Sequence, residues 1–305
     1  MQEIEYRFVY MDKCIMCGAS ADNHRILGRR LNRSQGRNPK NKIGISTTVV
    51  KCNNCGLIFA NPQPRPFDIQ QDHYSMSPLE YWDENYVTDN AANFFSGEIS
   101  ILKMHLDYSP GAKALDVGAG IGNFMRTLIA ERFDAHGIEP SEEFYKYAVE
   151  RMKINPDKLK FSSIEDADYP ENYFDFISFG AVLEHLYDPS QAIIKTLKWL
   201  RPKGIIRIEV PSSAWLVNKI INLYYNVRGT DYVGNISPMH PPYHLYEFGL
   251  KSFVEHARQN HYEIVQHTYY VCEATYMPKI VNYFIQPIMK WTNTGMQIII
   301  WLRKY

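Results

Sequence analysis

The chain has no net charge: its 305 residues hold 33 lysines and arginines against 33 aspartates and glutamates. Such a balance gives no global field to hold a polyanion, so a nucleic-acid role would need a local basic patch. Long apolar runs are missing as well. The longest, such as Ile298 to Leu302, fall far short of the ~20 residues that cross a bilayer. Between Met1 and Glu5 no cationic stretch leads into an apolar one, which argues against a secretory signal. The expectation is a soluble, cytoplasmic protein. Cysteine is scarce, five in all, too few for a dense disulfide framework. No segment is of low complexity and no period of ~20–50 residues repeats itself, which excludes a solenoid or propeller. What is present is a 45% hydrophobic fraction with 14% aromatics. That suffices for a large buried core and rules out disorder as a description of the whole chain. The length allows one large domain, or a modest one with an appendage.

Four of the five cysteines fall into two pairs, Cys14/Cys17 and Cys52/Cys55, with 34 residues between the pairs. Each pair is a C-x-x-C followed directly by glycine, Gly18 and Gly56. Two thiolates at this spacing can chelate one ion from a tight turn, and the glycine takes a backbone conformation that a Cβ resists. Two such turns face to face give the closed tetrahedral sulfur set of structural zinc. A redox dithiol would not need two glycine-followed pairs, and disulfides are disfavoured in a reducing compartment. The intervening stretch exceeds the ~15–20 residues of common zinc spacings, which implies an inserted loop. Cys272 stands apart in a strand-like run and reads as a small apolar residue. The inserted loop, Arg25 to Lys42, holds Arg25, Arg29, Arg30, Arg33, Arg37, Lys40 and Lys42 and no acid. It is either a solvated loop or a surface for an anionic partner, because the guanidinium fork binds phosphate bidentately.

Leu57 to Ala60 reads as a short closing strand. Pro62, Pro64 and Pro66 then predict a stiff extended connector, with a module boundary near residue 66. The following stretch is rich in aromatics, including Tyr74, Tyr81, Trp82 and Tyr86, and Phe94 to Leu106 carries apolar residues at helical spacing. From Ala112 the signals alternate. Strands are expected at Ala114–Val117, Ala135–Ile138, Leu159–Ser162, Phe174–Phe179 and Gly204–Val210, and helices at Phe124–Arg132 and Pro189–Leu200. Ser141 is placed to cap a further helix. Alternation of this kind implies parallel strands joined by right-handed crossovers, an open α/β sheet. Glu263–Val271 and Gln297–Leu302 resemble two more strands, flanking a helix at Pro278–Trp291. That helix could offer an amphipathic face to a partner or membrane surface, although packing on the sheet is the simpler reading.

Between the first of these strands and its helix lies Asp116-Val117-Gly118-Ala119-Gly120-Ile121-Gly122. In an open α/β sheet this is where a nucleotide-like ligand binds, in the crevice beyond the strand's carboxyl end. The spacing is G-x-G-x-G with Asn123 next, whereas the dinucleotide fingerprint needs G-x-G-x-x-G. Asp116 puts a carboxylate where a pyrophosphate would otherwise lie, which suits a ligand bearing an amine and a sulfonium. Glu139 ends the second strand, 23 residues after Asp116, where a carboxylate can accept from both ribose hydroxyls.

These residues resemble the class I S-adenosylmethionine-dependent methyltransferases. The matching text runs through Leu115–Phe124, Gly137–Ser141, Tyr173–Ile177, Leu183-Glu184-His185-Leu186 with Asp188-Pro189, and Leu200–Gly204. The resemblance covers about residues 95 to 305. It implies a Rossmann-like α/β fold whose seven-stranded sheet ends in an antiparallel strand. It further implies a cofactor held by Asp116, Gly118, Gly120, Gly122, Glu139, Pro140 and Gly180, with adenine near Ser163 and Ile164. Many relatives carry an acid where Ser163 stands, so either Ser163 or Glu165 meets the adenine amine. The paired cysteine module, closing with Cys55-Gly56-Leu57-Ile58-Phe59-Ala60-Asn61-Pro62, is similar in plan to methyltransferases of bacterial surface-polysaccharide and sugar-modifying pathways. The expected organisation is a zinc module at residues 1–66 with Cys14, Cys17, Cys52 and Cys55 as Zn2+ ligands. A helical connector or cap follows at 67–110, then a methyltransferase domain at 111–305 with a lid insertion at about 212–248.

Methyl transfer from a sulfonium needs an in-line acceptor and a base for the acceptor's proton. His244 is the first candidate and His240 the next, because related enzymes place a histidine facing the acceptor just before the helix expected near Leu250. The ordinary imidazole value of ~6.5 suits such a base. His185 belongs to a family motif and could equally pack beneath the cofactor. Tyr224, Tyr225, Tyr232 and Tyr243 in the insertion could stack on a sugar or base, or form an ordinary lid core. The leading expectation is an enzyme that methylates a small-molecule sugar or sugar nucleotide at oxygen or carbon. Two alternatives stand beside it: an RNA base methyltransferase using the module and basic loop, and a non-catalytic zinc-bearing assembly module.

Overall fold

In a computed structural model, residues 5–32, 44–68, 76–81, 95–240, 244–274 and 277–305 are described below. Arg33, Arg37, Lys40, Lys42, Tyr74, Trp82, Tyr86, Phe94 and Tyr243, named above, lie outside the described residues.

A seven-stranded sheet organises the chain from residue 113 onward. Its strands are β6 (Lys113–Val117), β7 (Asp134–Glu139), β8 (Leu159–Phe161), β9 (Phe174–Gly180), β10 (Leu200–Pro211), β12 (Tyr262–Tyr270) and β13 (Gln297–Lys304). Their spatial order is β12-β13-β10-β9-β6-β7-β8. β6 to β10 run parallel, and β13 lies antiparallel between β10 and β12. This is the sheet expected from the resemblance. The chain runs outward from β6 through β7 to β8 and returns to start β9 on the other side of β6. That reversal opens a crevice at the strands' carboxyl ends.

The central strands are apolar on both faces because helices cover both. On one side Phe176, Ile205 and Trp301 pack with Phe124 and with Leu102 of α2 (Ser96–His105). On the other, Ile177, Phe179, Ile206 and Ile208 pack with Ala192, Ile193 and Leu197 of α5 (Pro189–Trp199). Ser141 caps α4 (Glu142–Glu150), its Oγ accepting from Phe144 N. β10 begins earlier than Gly204, with a register shift between Leu200 and Ile205.

The N-terminal cysteine pairs sit beside a second, four-stranded sheet in the order β11-β4-β3-β2, built from β2 (His24–Leu31), β3 (Ser46–Cys52), β4 (Ile58–Ala60) and β11 (Tyr246–Glu247). Three strands come from the cysteine region, and the fourth comes from the far insertion, with Tyr246 opposite Phe59. The insertion is therefore knitted into the N-terminal sheet. The hydrophobic core is continuous across this junction: Cys14, Cys55, Leu57 and Phe59 belong to one buried cluster with Phe248, Phe253 and Ile208.

The proline connector is the clear departure. Gln63–Pro66 forms strand β5, antiparallel to β1 (Tyr6–Val9). Phe67 N donates to Glu5 O, so every second residue donates toward β1 and Pro64 and Pro66 fall on the positions that need no donor. Prolines spaced by two fit an edge strand.

Candidate active site

A cavity of about 430 Å³ opens at the carboxyl ends of β6, β7, β9 and β10. It is within the range of small-molecule and cofactor sites. Asp116, Gly118, Gly120, Glu139, Pro140, Ser163, Ile164, Gly180 and His185 all line it, so the structure brings most of the sequence-predicted set to one place. Gly122 caps the helix that follows the loop. His240 and His244 are not among the lining residues, although His244 packs on His185, as described below.

The loop is folded by its glycines. Gly118, Gly120 and Gly122 have φ of +69°, +57° and +83°, a region that favours glycine. A Cβ at Gly118 would stand 2.6 Å from Val182 Cγ2, and one at Gly122 would stand 2.6 Å from Ile154 Cγ1. Backbone bonds hold the turn down, with Gly118 N and Ala119 N both donating to Ile138 O. Glu139 completes the cradle. Its Oε2 accepts from Gly120 N at 2.7 Å and its Oε1 from Ser141 N at 2.8 Å. Only a carboxylate can accept at both oxygens here.

Two buried acids thus face the cavity. Burial pushes the Asp116 carboxyl up to about 7, against the pull of the nearby Arg207 charge and Ser178 hydroxyl. Burial likewise raises Glu139 to about 7, although its two backbone bonds favour the charged form. Ser163 Oγ donates to Asp166 Oδ2 at 2.8 Å, and Glu165 lines the cavity beside it.

Sequence reasoning missed a buried cation. Arg207 on β10 is 1% exposed, lines the cavity, and pairs with Glu209 and Glu98. The register aligns Asp116, Ser178 and Arg207 across β6, β9 and β10. The signal was present: Arg207 and Glu209 interrupt an otherwise apolar central strand at i and i+2, the spacing that puts both side chains on one face. Aromatic walls were missed too. Tyr81 of α1 (Pro78–Tyr81), Phe95, Phe124 and Phe144 line the cavity, and the Tyr81 and Phe144 rings lie 5.6 Å apart.

The histidines assemble at the cavity's edge. His185 and His244 meet edge-to-face with ring centroids 4.5 Å apart, and His240 lies 5.5 Å from His244. His244 Nδ1 is 2.7 Å from Ser237 Oγ. A carboxylate oxygen of Glu184 and a ring nitrogen from each of His185 and His244 lie within 4.8 Å of one another. Burial raises Glu184 to about 8. Leu245 N donates to Glu184 O and Ala60 N donates to Leu245 O, so the backbone beside His244 is tied to both the methyltransferase-like sheet's loop and β4.

Among the described residues, Tyr224, Tyr225 and Tyr232 do not line the cavity. Tyr225 is buried against Gly234, Tyr224 is exposed, and the Tyr232 ring lies under Arg29. In the described part of the basic segment, Arg25 is exposed. Arg29 pairs with Asp231 at 2.8 Å, and Arg30 is 2% exposed, its lowered pKa of about 10 a consequence of burial.

The four predicted cysteines converge. Cys14 Sγ lies 3.4 Å from Cys55 Sγ, Cys17 Sγ 3.6 Å from Cys52 Sγ, and all four sulfurs lie within 4.8 Å of one another. Gly18 and Gly56 take φ of +70° and +79°, each donating to the carbonyl of the first cysteine of its pair. Cys272 is half-buried, its Sγ 3.4 Å from Met296 Sδ.

Comparison with known proteins follows the same lines. A family model described as a methyltransferase domain matches residues 98–267. Phosphoethanolamine N-methyltransferase 2 of Caenorhabditis elegans is 30% identical over 119 residues, covering 37% of this chain and 27% of that protein. Phosphoethanolamine N-methyltransferase 1 of Arabidopsis thaliana is 36% identical over 112 residues, covering 35% and 22%. The chain therefore matches only about a quarter of the length of these relatives. A crystal structure described as that of a putative S-adenosylmethionine dependent methyltransferase from Listeria monocytogenes aligns with a TM-score of 0.47 at 16% identity, over 69% of this chain and 97% of that one. The family match spans more than half of the residues and contains the glycine loop, Glu139 and His185. By that match the chain belongs to the family of S-adenosylmethionine-dependent methyltransferase domains.

Proposed function

We propose that this protein methylates a hydroxyl or carbon of a sugar or sugar nucleotide, with zinc held by Cys14, Cys17, Cys52 and Cys55. The observation that carries the reading is the histidine pair at the edge of the acid-lined cavity, fixed there by the strand that the cysteine module grips.

When bound, S-adenosylmethionine supplies an electrophilic methyl group on a positively charged sulfur. Asp116 and Glu139 give the cavity two carboxylates for a ligand with an amine, a sulfonium and a ribose, and the Gly118–Gly122 backbone lets that ligand approach closely. Ser163, Ile164 and Glu165 offer an edge for adenine. Gly180 and Pro140 line the cavity at the strand ends. With Nδ1–H donating to Ser237 Oγ, His244 keeps its lone pair on Nε2, where it takes the acceptor's proton. His185, packed edge-to-face on that ring, orients it. His240 is a weaker choice because it is exposed and lies behind His244.

Zinc fits the sulfur set. Zinc–sulfur bonds of about 2.3 Å in a tetrahedron put sulfurs roughly 3.8 Å apart, close to the 3.4 and 3.6 Å seen here. Its role in this reading is positional: residues 1–66 clamp β11 and so fix His244, while the stretch from 67 to 110 lends Tyr81 and Phe95 to the cavity that residues 111–305 build. The zero net charge of the chain weighs against the RNA reading. The relatives' phosphoethanolamine specificity belongs to proteins matched over a fraction of their length. A methyl-transfer screen against nucleotide-linked sugars, phosphoethanolamine and total RNA tests the proposal. Turnover of the sugars is expected, and methylation confined to RNA or to phosphoethanolamine would overturn it.

A further inference from the structure

We propose that the outer faces of two helices, α6 (Leu216–Val227) and α8 (Lys279–Thr292), form a platform that docks on an anionic phospholipid surface. The two helices share one buried seam, in which Val217 and Ile221 of the first pack in one cluster with Ile285 and Met289 of the second. A helix at a protein surface ordinarily spends its apolar stripe on such a seam and turns polar residues outward. Here the apolar arc is wider than the seam can cover. Leu223, Tyr224 and Val227 of α6 and Tyr283, Phe284 and Trp291 of α8 all remain exposed, with Val227 at 79% and Trp291 at 86%.

Two of the three asparagines of α6 do not offset this. Asn222 turns to the neighbouring loop, bonding Gly234 through both its side-chain oxygen and nitrogen, and Asn218 is buried. On α8 the Asn282 side chain is spent on Ala274 and Met277. An exposed apolar surface of this extent on two adjoining helices marks an interaction site.

Charge selects the occupant. Neither helix contains an Asp or Glu, while Lys219, Lys279 and Lys290 lie on them and Arg228 follows α6 directly. In a chain of zero net charge this one-sign distribution is local. A second copy docked about a two-fold axis would bring the same cations toward each other. A bilayer surface suits both features. Aliphatic and aromatic side chains enter the boundary between headgroups and acyl chains, while lysines reach the phosphates. No helix among the described residues is long and apolar enough to cross the membrane, so the contact is interfacial.

Flotation of the full-length protein with vesicles tests this. Wild type is expected to float with vesicles of equal parts phosphatidylcholine and phosphatidylglycerol, less so at high salt, and to stay down with phosphatidylcholine alone. Phe284→Asp combined with Trp291→Asp, and separately Lys279→Glu with Lys290→Glu, should each lower the bound fraction at least about tenfold. All four side chains project from the surface or lie on its polar rim, so the melting temperature should hold, and circular dichroism checks it. Failure of the wild type to float with the anionic vesicles overturns the proposal, as does equal flotation of folded variants. A dimer in solution that the aspartate pair dissolves, without any vesicle binding, assigns the face to a second copy and overturns it too.

Discussion

If the cavity takes its cofactor through Asp116 and Glu139, affinity must follow their ionisation. Both carboxyls are raised to about 7 by burial, so in the empty protein each is largely protonated at pH 6 and mostly ionised at pH 7.5. A ligand carrying an ammonium and a sulfonium prefers the ionised pair and draws both values down on binding. The sign follows: affinity is fully present above pH 7 and is lost as pH falls through it. For one carboxyl titrating at 7, the ionised fraction changes roughly eightfold between pH 7.5 and 6. Two independent groups would give several tens. Because the Glu139 charge itself raises Asp116, the pair titrates jointly and the observed ratio falls between those limits. Above pH ~8 the ligand's own amine loses its proton, so the useful window closes there. Calorimetry with S-adenosylmethionine at pH 6, 6.5, 7 and 7.5 measures the effect. Asp116→Asn should lose ~1.5–3 kcal/mol of affinity at pH 7.5, the usual worth of a hydrogen bond to a charged group, and its pH ratio should shrink to that of Glu139 alone. A dissociation constant that does not vary over this window, or an Asn variant with the wild-type ratio, refutes the electrostatic account of the cavity.

Glu139→Gln places an amide nitrogen against the N–H of Gly120 or Ser141, leaving a donor unpaired; ~1–3 kcal/mol of stability should be lost even without ligand, read from thermal melts. His244→Ala should lower kcat about a hundredfold or more while cofactor affinity by calorimetry stays within about twofold. Tyr246→Phe removes the hydroxyl that accepts from Gln63 Nε2 and donates to Tyr187 O. It should cost ~1–3 kcal/mol of stability and lower kcat more than it weakens cofactor binding. Stripping the four-cysteine site with a chelator, or Cys55→Ser, should release one equivalent of zinc by elemental analysis and depress kcat through the same strand, with the glycine-loop cavity still able to bind cofactor.

The central strands β6, β7, β9 and β10 were legible because each carries an apolar run ended by a glycine, proline or acid, the pattern of a strand buried on both faces. The cysteine pairs and the glycine loop were legible because their chemistry depends on spacing within a few residues. What the sequence hid was pairing over distance. β11 has two residues, and only Phe59 and Ile58, far upstream, make it a strand. β5 was obscured by prolines, whose meaning changes once β1 supplies a partner that needs only alternate donors. Tyr81 and Phe95 reach the cavity from a segment whose local pattern gives no direction. Arg207 and Glu209 were visible as charges in a strand, but that they face Asp116 follows from the register of three strands.

The neutrality of the whole chain conceals an uneven interior. Asp116, Glu139, Glu165 and Glu209 line the cavity, and Arg207 is the one Lys or Arg side chain among the described residues that does so. That arginine is already met by Glu209 and Glu98, so its charge is spent locally. Above pH 7, where Asp116 and Glu139 are mostly ionised, the remaining carboxylates carry an unbalanced negative potential in a place where low polarity strengthens it. A diphosphate in this cavity would meet repulsion with no cation to spare, whereas a sulfonium nucleoside relieves the strain of burying the acids. The same asymmetry bears on the acceptor. If it is a nucleotide-linked sugar, its phosphates must remain outside the acid-lined floor and present only the sugar toward His244. The cavity's sign thus fixes which end of such a substrate enters first.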